Sequence, residues 1–230
     1  MRYLVIGGAG RTGSRVADEL AKTGHEVIIA SRHASELTVD LAQDIDPAIL
    51  DGVDGVVISV EPPANEAGAN ATLNHGVARL GQAAAGKGIH VVLLSQIYIT
   101  RAAEHPEMAG VIRARAAGER ALRDSGAPYT ILRPGWLTDR PAAGVRLEQG
   151  DTGDGQVSRA TVAQAAAAAL AIAAARGKTF ELYDDPAAGI PDWPALYSQR
   201  PLFITTRVRP PRNAPRSARW RPPGATSPLP

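Results

Sequence analysis

Residues 3–20 read YLVIGGAGRTGSRVADEL, an apolar stretch that passes through four glycines into a helical pattern. Nothing else in the chain restricts its fold so tightly. Gly8, Gly10 and Gly13 fit G-x-G-x-x-G, and Gly7, Gly10 and Gly13 fit G-x-x-G-x-x-G. Spacing alone leaves the register open. Glycines placed between a strand and a helix permit a tight turn, let the backbone approach a diphosphate, and let the helix pack closely on the strand. A helix starting near Arg11 then turns its free N–H groups and dipole toward the phosphates. The same glycines could serve a structural turn only. The strand before, the helix after and a second strand at the right distance weigh against that and predict a dinucleotide-binding unit. Gly7, Gly10, Arg11, Thr12 and Gly13 are its phosphate-facing candidates.

The rest of the chain continues the alternation. Strand-like runs occur at 3–7, 25–31, 36–41, 54–60, 89–95, 129–134 and 179–184, with helical patterns after Gly13, at 67–86, at about 109–125 and at 158–178. Apolar runs that alternate with helices predict βαβ units. The expected fold class is therefore α/β, a Rossmann-type doubly wound parallel sheet in a single domain over 1–199. A chain of 230 residues suits one such domain.

Composition changes sharply at residue 200. Residues 200–230 hold seven arginines, eight prolines and no acid, so the net charge of +2 conceals a mildly acidic body. Proline removes backbone donors, which predicts a disordered or extended tail. A partner-binding arm, a solvated appendage and an altered reading frame all fit this tail. An acidic body offers no basic face for nucleic acid. No long uncharged apolar run predicts a membrane span. The absence of cysteine excludes disulfides and fits a cytoplasmic protein, monomer or homodimer.

The end of the second strand selects a cofactor. NAD sites place a carboxylate about 20 residues after the loop; this chain has Ser31 and Arg32, and no acid until Glu36. Arg32 can stack on adenine and pair with a 2′-phosphate, with Ser31 hydrogen-bonding it. The alternative is a solvated surface arginine. The expectation is NADP(H) in preference to NAD(H).

At VIGGAGRTGSRVADELAKTGHEVIIASR, VDGVVISV, VVLLSQ, RARAAGERALRDSGAPYTILRPGWLTD and VSRATVAQAAAAAL the chain resembles the atypical short-chain dehydrogenase/reductase group, specifically its NAD(P)H-binding, NmrA-like proteins. With TFELYDD the resemblance covers roughly 1–199. It favours the Gly7, Gly10, Gly13 register. It implies that Asp40 meets the adenine amino group and that Leu41 flanks the ring. It further implies that Ser59, Val60 and Glu61 lie along a ribose, and that Ser95 and Gln96 face the nicotinamide. Pro134, Gly135 and Trp136 would stand beside nicotinamide and substrate. Asp40 could instead only start a turn, and Trp136 could be core.

Relatives that reduce carbonyls use a tyrosine four residues before a lysine, the lysine lowering the pKa of the proton donor. Here Val111 stands at the tyrosine position and Arg115 at the lysine position. Arg115 can bind a ribose hydroxyl or phosphate, but it does not titrate near neutrality. Ser95 alone is kept from the usual trio. Tyr98 and His105 are the replacement acids available, each equally readable as structural or surface. No metal-ligand spacing and no G-x-S-x-G occurs. Two function classes follow. One is a reductase of a small quinone, flavin or carbonyl acceptor, with Ser95 and Tyr98 catalytic and Trp136 at the substrate. The other is a non-catalytic NADP(H)-binding sensor or regulatory protein, which takes no substrate.

Overall fold

The computed structural model describes residues 1–33, 36–63 and 65–199. The expectations for 200–230 lie outside these residues. Among the described residues the main sheet has eight strands: β1 (Arg2–Ile6), β2 (Glu26–Ser31), β3 (Leu37–Thr38), β4 (Gly55–Ile58), β5 (His90–Leu94), β6 (Tyr129–Pro134), β8 (Val145–Glu148) and β10 (Lys178–Asp184). Their spatial order is β3-β2-β1-β4-β5-β6-β10-β8. Every pairing is parallel except β10 with β8. Two further strands, β7 (Trp136–Thr138) and β9 (Gln156–Ser158), pair with each other in a separate parallel ladder. The expected doubly wound parallel sheet is present.

Strand β1 shows why. Tyr3 and Val5 point to one face, and Leu4 and Ile6 to the other, all essentially buried. A strand covered on both faces reads as a continuous apolar run. The first face is covered by α1 (Gly13–Lys22) and α5 (Arg159–Ala171). On the second lie α3 (Val77–Ala85) and α4 (Ala109–Asp124). A short helix α2 (Glu66–Asn70) runs into α3 through a π-helical segment, Ala71–Gly76. The last helix, α6 (Trp193–Ser198), buries Tyr197, whose hydroxyl donates to the Ala165 carbonyl at 2.6 Å.

Three boundaries differ from expectation. The alanine-rich helix expected to 178 ends at Ala171, because Ile172 turns extended and Ala173–Ala175 form a 3₁₀ turn. Thr130 Oγ1 donates to the Ala175 carbonyl at 2.9 Å, and Gly177 turns at φ +73 to start β10. Tertiary pairing here overrides helix propensity. The strand expected at 36–41 shortens to Leu37–Thr38, and that at 54–60 to Gly55–Ile58.

His90, at the start of β5, is 3% exposed, and its Nε2 lies 3.0 Å from Thr130 Oγ1. Since that hydroxyl already donates to Ala175, Nε2 is the donor. Burial, helped by the charge of Arg176, pushes the imidazole down to about 4. An unfolded histidine takes up its proton near 6.5, whereas the folded one refuses it until about 4. Stability is therefore lost as pH falls through that window, by up to about 3 kcal/mol. Urea unfolding of wild type at pH 7 and pH 4.5 should show this loss, and His90→Gln should lose markedly less between the same two pH values.

Candidate functional site

A cleft of about 570 Å³ lies at the carboxyl ends of β1, β2, β4, β5 and β6, where the strand order reverses between β1 and β4. Open α/β sheets take ligands at such a switch point. Gly7, Gly10, Arg11, Thr12, Ser31, Arg32, Asp40, Leu41, Ser59, Val60, Ser95, Arg115 and Pro134 all line it. Gly13 lies beneath the loop, buried at the first position of α1.

The loop's shape requires two of its glycines. Gly7 has φ +83, and a Cβ there would overlap the Ser59 carbonyl. A Cβ on Gly13 would overlap the Gly7 carbonyl. The loop is thus folded against Ser59, just after β4, and onto its own first turn. A Cβ on Gly8 would also crowd the Val5 carbonyl, at 2.9 Å, and one on Gly10 would meet the Gly7 carbonyl at 3.2 Å, so both registers stay open. Thr12, at the N-cap of α1, makes no side-chain capping bond. In contrast, Ser158 caps α5 by accepting from the Thr161 N–H at 2.9 Å. The uncapped end of α1 faces the cleft, a geometry suited to an anion.

At the β2 end, Ser31 Oγ accepts from the His33 N–H at 3.3 Å and Arg32 is exposed on the cleft wall. The first carboxylate after them, Glu36, is engaged with the Ile29 N–H at 3.2 Å. Asp40 fits both readings made of it: it accepts from the Ala42 N–H at 2.9 Å, in a turn, and it lines the cleft. Thr72, in the π-helical segment, also lines the cleft. Sequence patterning gave no sign of it, because such a segment has no composition of its own.

Two buried donors stand on the floor. Ser95, 7% exposed, has no hydrogen-bond partner for its Oγ among the described residues. Arg115, 8% exposed, donates to the Leu94 carbonyl at 3.3 Å and lies 3.7 Å from Glu61, but its Nε is unpartnered. Burial lowers its pKa, against the charges of Glu61 and Glu119. Val111, where relatives hold tyrosine, packs with Ala69, Leu73 and Ala114. Unpartnered buried donors at a cleft floor call for a ligand oxygen. The glycine cradle, the uncapped helix end and these donors together fit a dinucleotide.

Tyr98 and Trp136 stand elsewhere than expected. Tyr98 is 3% exposed, at φ +71, and does not line the cleft. Its hydroxyl donates to Asp154 at 2.6 Å and accepts from the Trp136 indole N–H at 3.0 Å. Its ring stacks on His105 with centroids 4.0 Å apart, and Arg101 lies 4.5 Å from it. Burial first, and then the bond to Asp154, raise its pKa. The loop is held by Asp151, which accepts from the Tyr98 and Thr100 N–H groups, each at 2.7 Å. Tyr98 is therefore a packed, hydrogen-bonded post and not a rim acid, and His105 is its stacking partner. Trp136 is 50% exposed, so it is not core, and the cleft is lined by its neighbour Leu137.

Sequence reasoning also missed a charged cluster. Asp139, just after β7, is contacted by Arg11 from the glycine loop, by Arg15 of α1 at 3.3 Å and by Arg159 of α5 at 3.1 Å. Partial burial would raise the Asp139 carboxyl. The charges of Arg11, Arg159 and Arg15 and the Arg11 hydrogen bond outweigh that and hold it below the usual value. Arg159 lines the cleft with Arg11.

A family model described as NAD(P)H-binding matches residues 7–172. The chain is 33% identical to (4-alkanoyl-5-oxo-2,5-dihydrofuran-3-yl)methyl phosphate reductase of Streptomyces griseus, over 77% of this chain and 66% of that protein. It is 28% identical to quinone oxidoreductase 2 of Escherichia coli, over 80% of this chain and 68% of that one. It thus spans about two thirds of the length of these two relatives. In fold it is similar to a provisionally named NAD-dependent epimerase/dehydratase of Bacillus halodurans. The TM-score is 0.77 at 22% identity, covering 86% of this chain and 100% of the other.

Proposed function

The chain belongs to the NAD(P)H-binding family, and from that premise we propose that it is an NADP(H)-preferring reductase of a small acceptor. The observation that carries the cofactor preference is the β2 end. Ser31 and Arg32 border the cleft there, and Glu36 is occupied by the Ile29 N–H. In this reading the glycine loop and α1 hold the diphosphate, Arg32 and Ser31 take the 2′-phosphate, and Asp40 and Leu41 frame the adenine. Ser59 and Val60 run along the ribose. Arg115 and Ser95, with their unpartnered Nε and Oγ, take oxygens at the nicotinamide end, beside Pro134. A bound NADPH supplies a hydride; the protein orients it and its acceptor.

Among the described residues the acceptor end shows no tyrosine or histidine placed to donate a proton, and the carboxylate there, Glu61, lies beside Arg115. Val111 stands at the tyrosine position, the Tyr98 hydroxyl is committed to Asp154, and His33, the one histidine among the described residues that line the cleft, neighbours Arg32. Acceptors whose reduced form takes its proton from water, such as quinones or flavins, suit such a floor better than simple ketones. Relatives named as reductases of a butenolide phosphate and of quinones support the reaction class. The missing tyrosine also favours a second reading, a sensor that binds NADP(H) without turning over.

Calorimetry tests the cofactor, and NADPH oxidation against quinones, flavins and aldehydes tests the reaction. Arg32→Ala is expected to weaken NADPH roughly 10- to 100-fold, the worth of a hydrogen bond to a charged group, with little effect on NADH. Equal binding of NADH and NADPH by wild type would overturn the preference. Tight NADPH binding with no turnover across the panel would select the sensor.

A further inference from the structure

The Asp139 cluster asks for a ligand of its own. Three guanidinium groups, from the glycine loop, α1 and α5, surround one carboxylate, and Arg159 is only 12% exposed. Three positive charges against one leave an excess of two, on residues of which Arg11 and Arg159 line the cleft. Like charges this close are unfavourable without a counter-anion. A dinucleotide's diphosphate carries two negative charges and, at a glycine loop, lies beside the N-terminus of the following helix.

We propose that Asp139 is a stand-in anion: it gathers Arg11, Arg15 and Arg159 in the free protein and yields Arg11 and Arg159 to the diphosphate of an entering dinucleotide. The inference rests on the reading of the cleft as a dinucleotide site. Binding is then an exchange of one anion for another. Asp139 stabilises the empty protein and weakens its affinity for cofactor. The diphosphate is common to NADPH and NADH, so the effect does not discriminate between them. Discrimination stays with Arg32.

The test is Asp139→Asn, which keeps the shape and removes the charge. Both dinucleotides are expected to bind about three- to tenfold more tightly, by the same factor, a gain that shrinks in high salt as screening rises. The free variant should melt at a lower temperature than wild type. Inorganic pyrophosphate should raise the melting temperature of both proteins, and by more in the variant. Unchanged or weaker binding of the dinucleotides by Asp139→Asn would overturn the inference while leaving the cofactor reading intact. Failure of wild type to bind either dinucleotide would instead remove that reading, and this one with it. Should Asp139→Asn not fold, Arg159→Gln decides. It is expected to weaken NADPH and NADH by equal factors, and unaltered affinity for both would refute the exchange.

Discussion

Glu119→Ala is expected to lower the unfolding free energy by about 3–5 kcal/mol, the cost of removing one partner from a buried charge network. Glu119, on α4, is fully buried. It accepts from Arg133 Nε at 3.0 Å and Arg133 Nη2 at 2.7 Å, and from Arg123 Nη2 at 2.8 Å. Arg133 is 8% exposed and also donates to Glu181, itself 1% exposed, at 2.9 Å. Burial alone would lower the Arg133 pKa. The two carboxylates outweigh it and hold that pKa above its ordinary value. Removing Glu119 leaves Arg133 with Glu181 as its carboxylate partner, and leaves Arg133 Nε and Nη2 without the acceptor they had. Chemical denaturation at pH 7 measures the loss. A double-mutant cycle with Arg133→Met measures the coupling of Glu119 to Arg133, and Arg133→Met alone should also destabilise, because it takes the cation from the buried Glu181. A cost below 1 kcal/mol for Glu119→Ala would mean that water or another group reaches Arg133.

Gly7→Ala is expected to cost dinucleotide affinity roughly 10- to 100-fold, from about 1–3 kcal/mol of forced overlap and strain. The added methyl meets the Ser59 carbonyl, which is backbone and cannot rotate away, and φ +83 is unfavourable for alanine. The loop must lift from β4 and carry Arg11 and the start of α1 with it. Calorimetry with NADPH reads the loss, and circular dichroism separates it from unfolding. NADPH affinity equal to wild type would show that the loop holds no phosphate.

Much of this was legible in the sequence for a definite reason. Strands β1, β4 and β5 are buried on both faces, so they read as unbroken apolar runs. The resemblance then pointed to Ser59, Ser95 and Pro134, which follow or end such strands and line one cleft. The strands β7, β8 and β9 were not legible. Each has only three or four residues, and β8 exists because Val145–Glu148 pairs with Asp184–Glu181, a partnership no local pattern announces. Tyr98 looked available as an acid because it lies three residues after the run expected at 89–95. Its burial depends on Asp151 and Asp154, more than fifty residues away. Asp139 and Arg11 are 128 positions apart: Asp139 follows β7, whose partner β9 leads into α5, and α5 packs beside α1.

The sheet passes from β6 directly to β10. Of the residues between them, α5 covers a face of the sheet, whereas residues 140–155 join it only at its outer edge, through β8, and lie between β7 and β9, which pair with each other. Lengthening or trimming this stretch need not shift the register of any parallel strand. It behaves as an interchangeable cartridge: evolution or an engineer could swap it to change what is admitted beside Leu137, while the glycine loop, Asp139 and Arg159 are inherited intact.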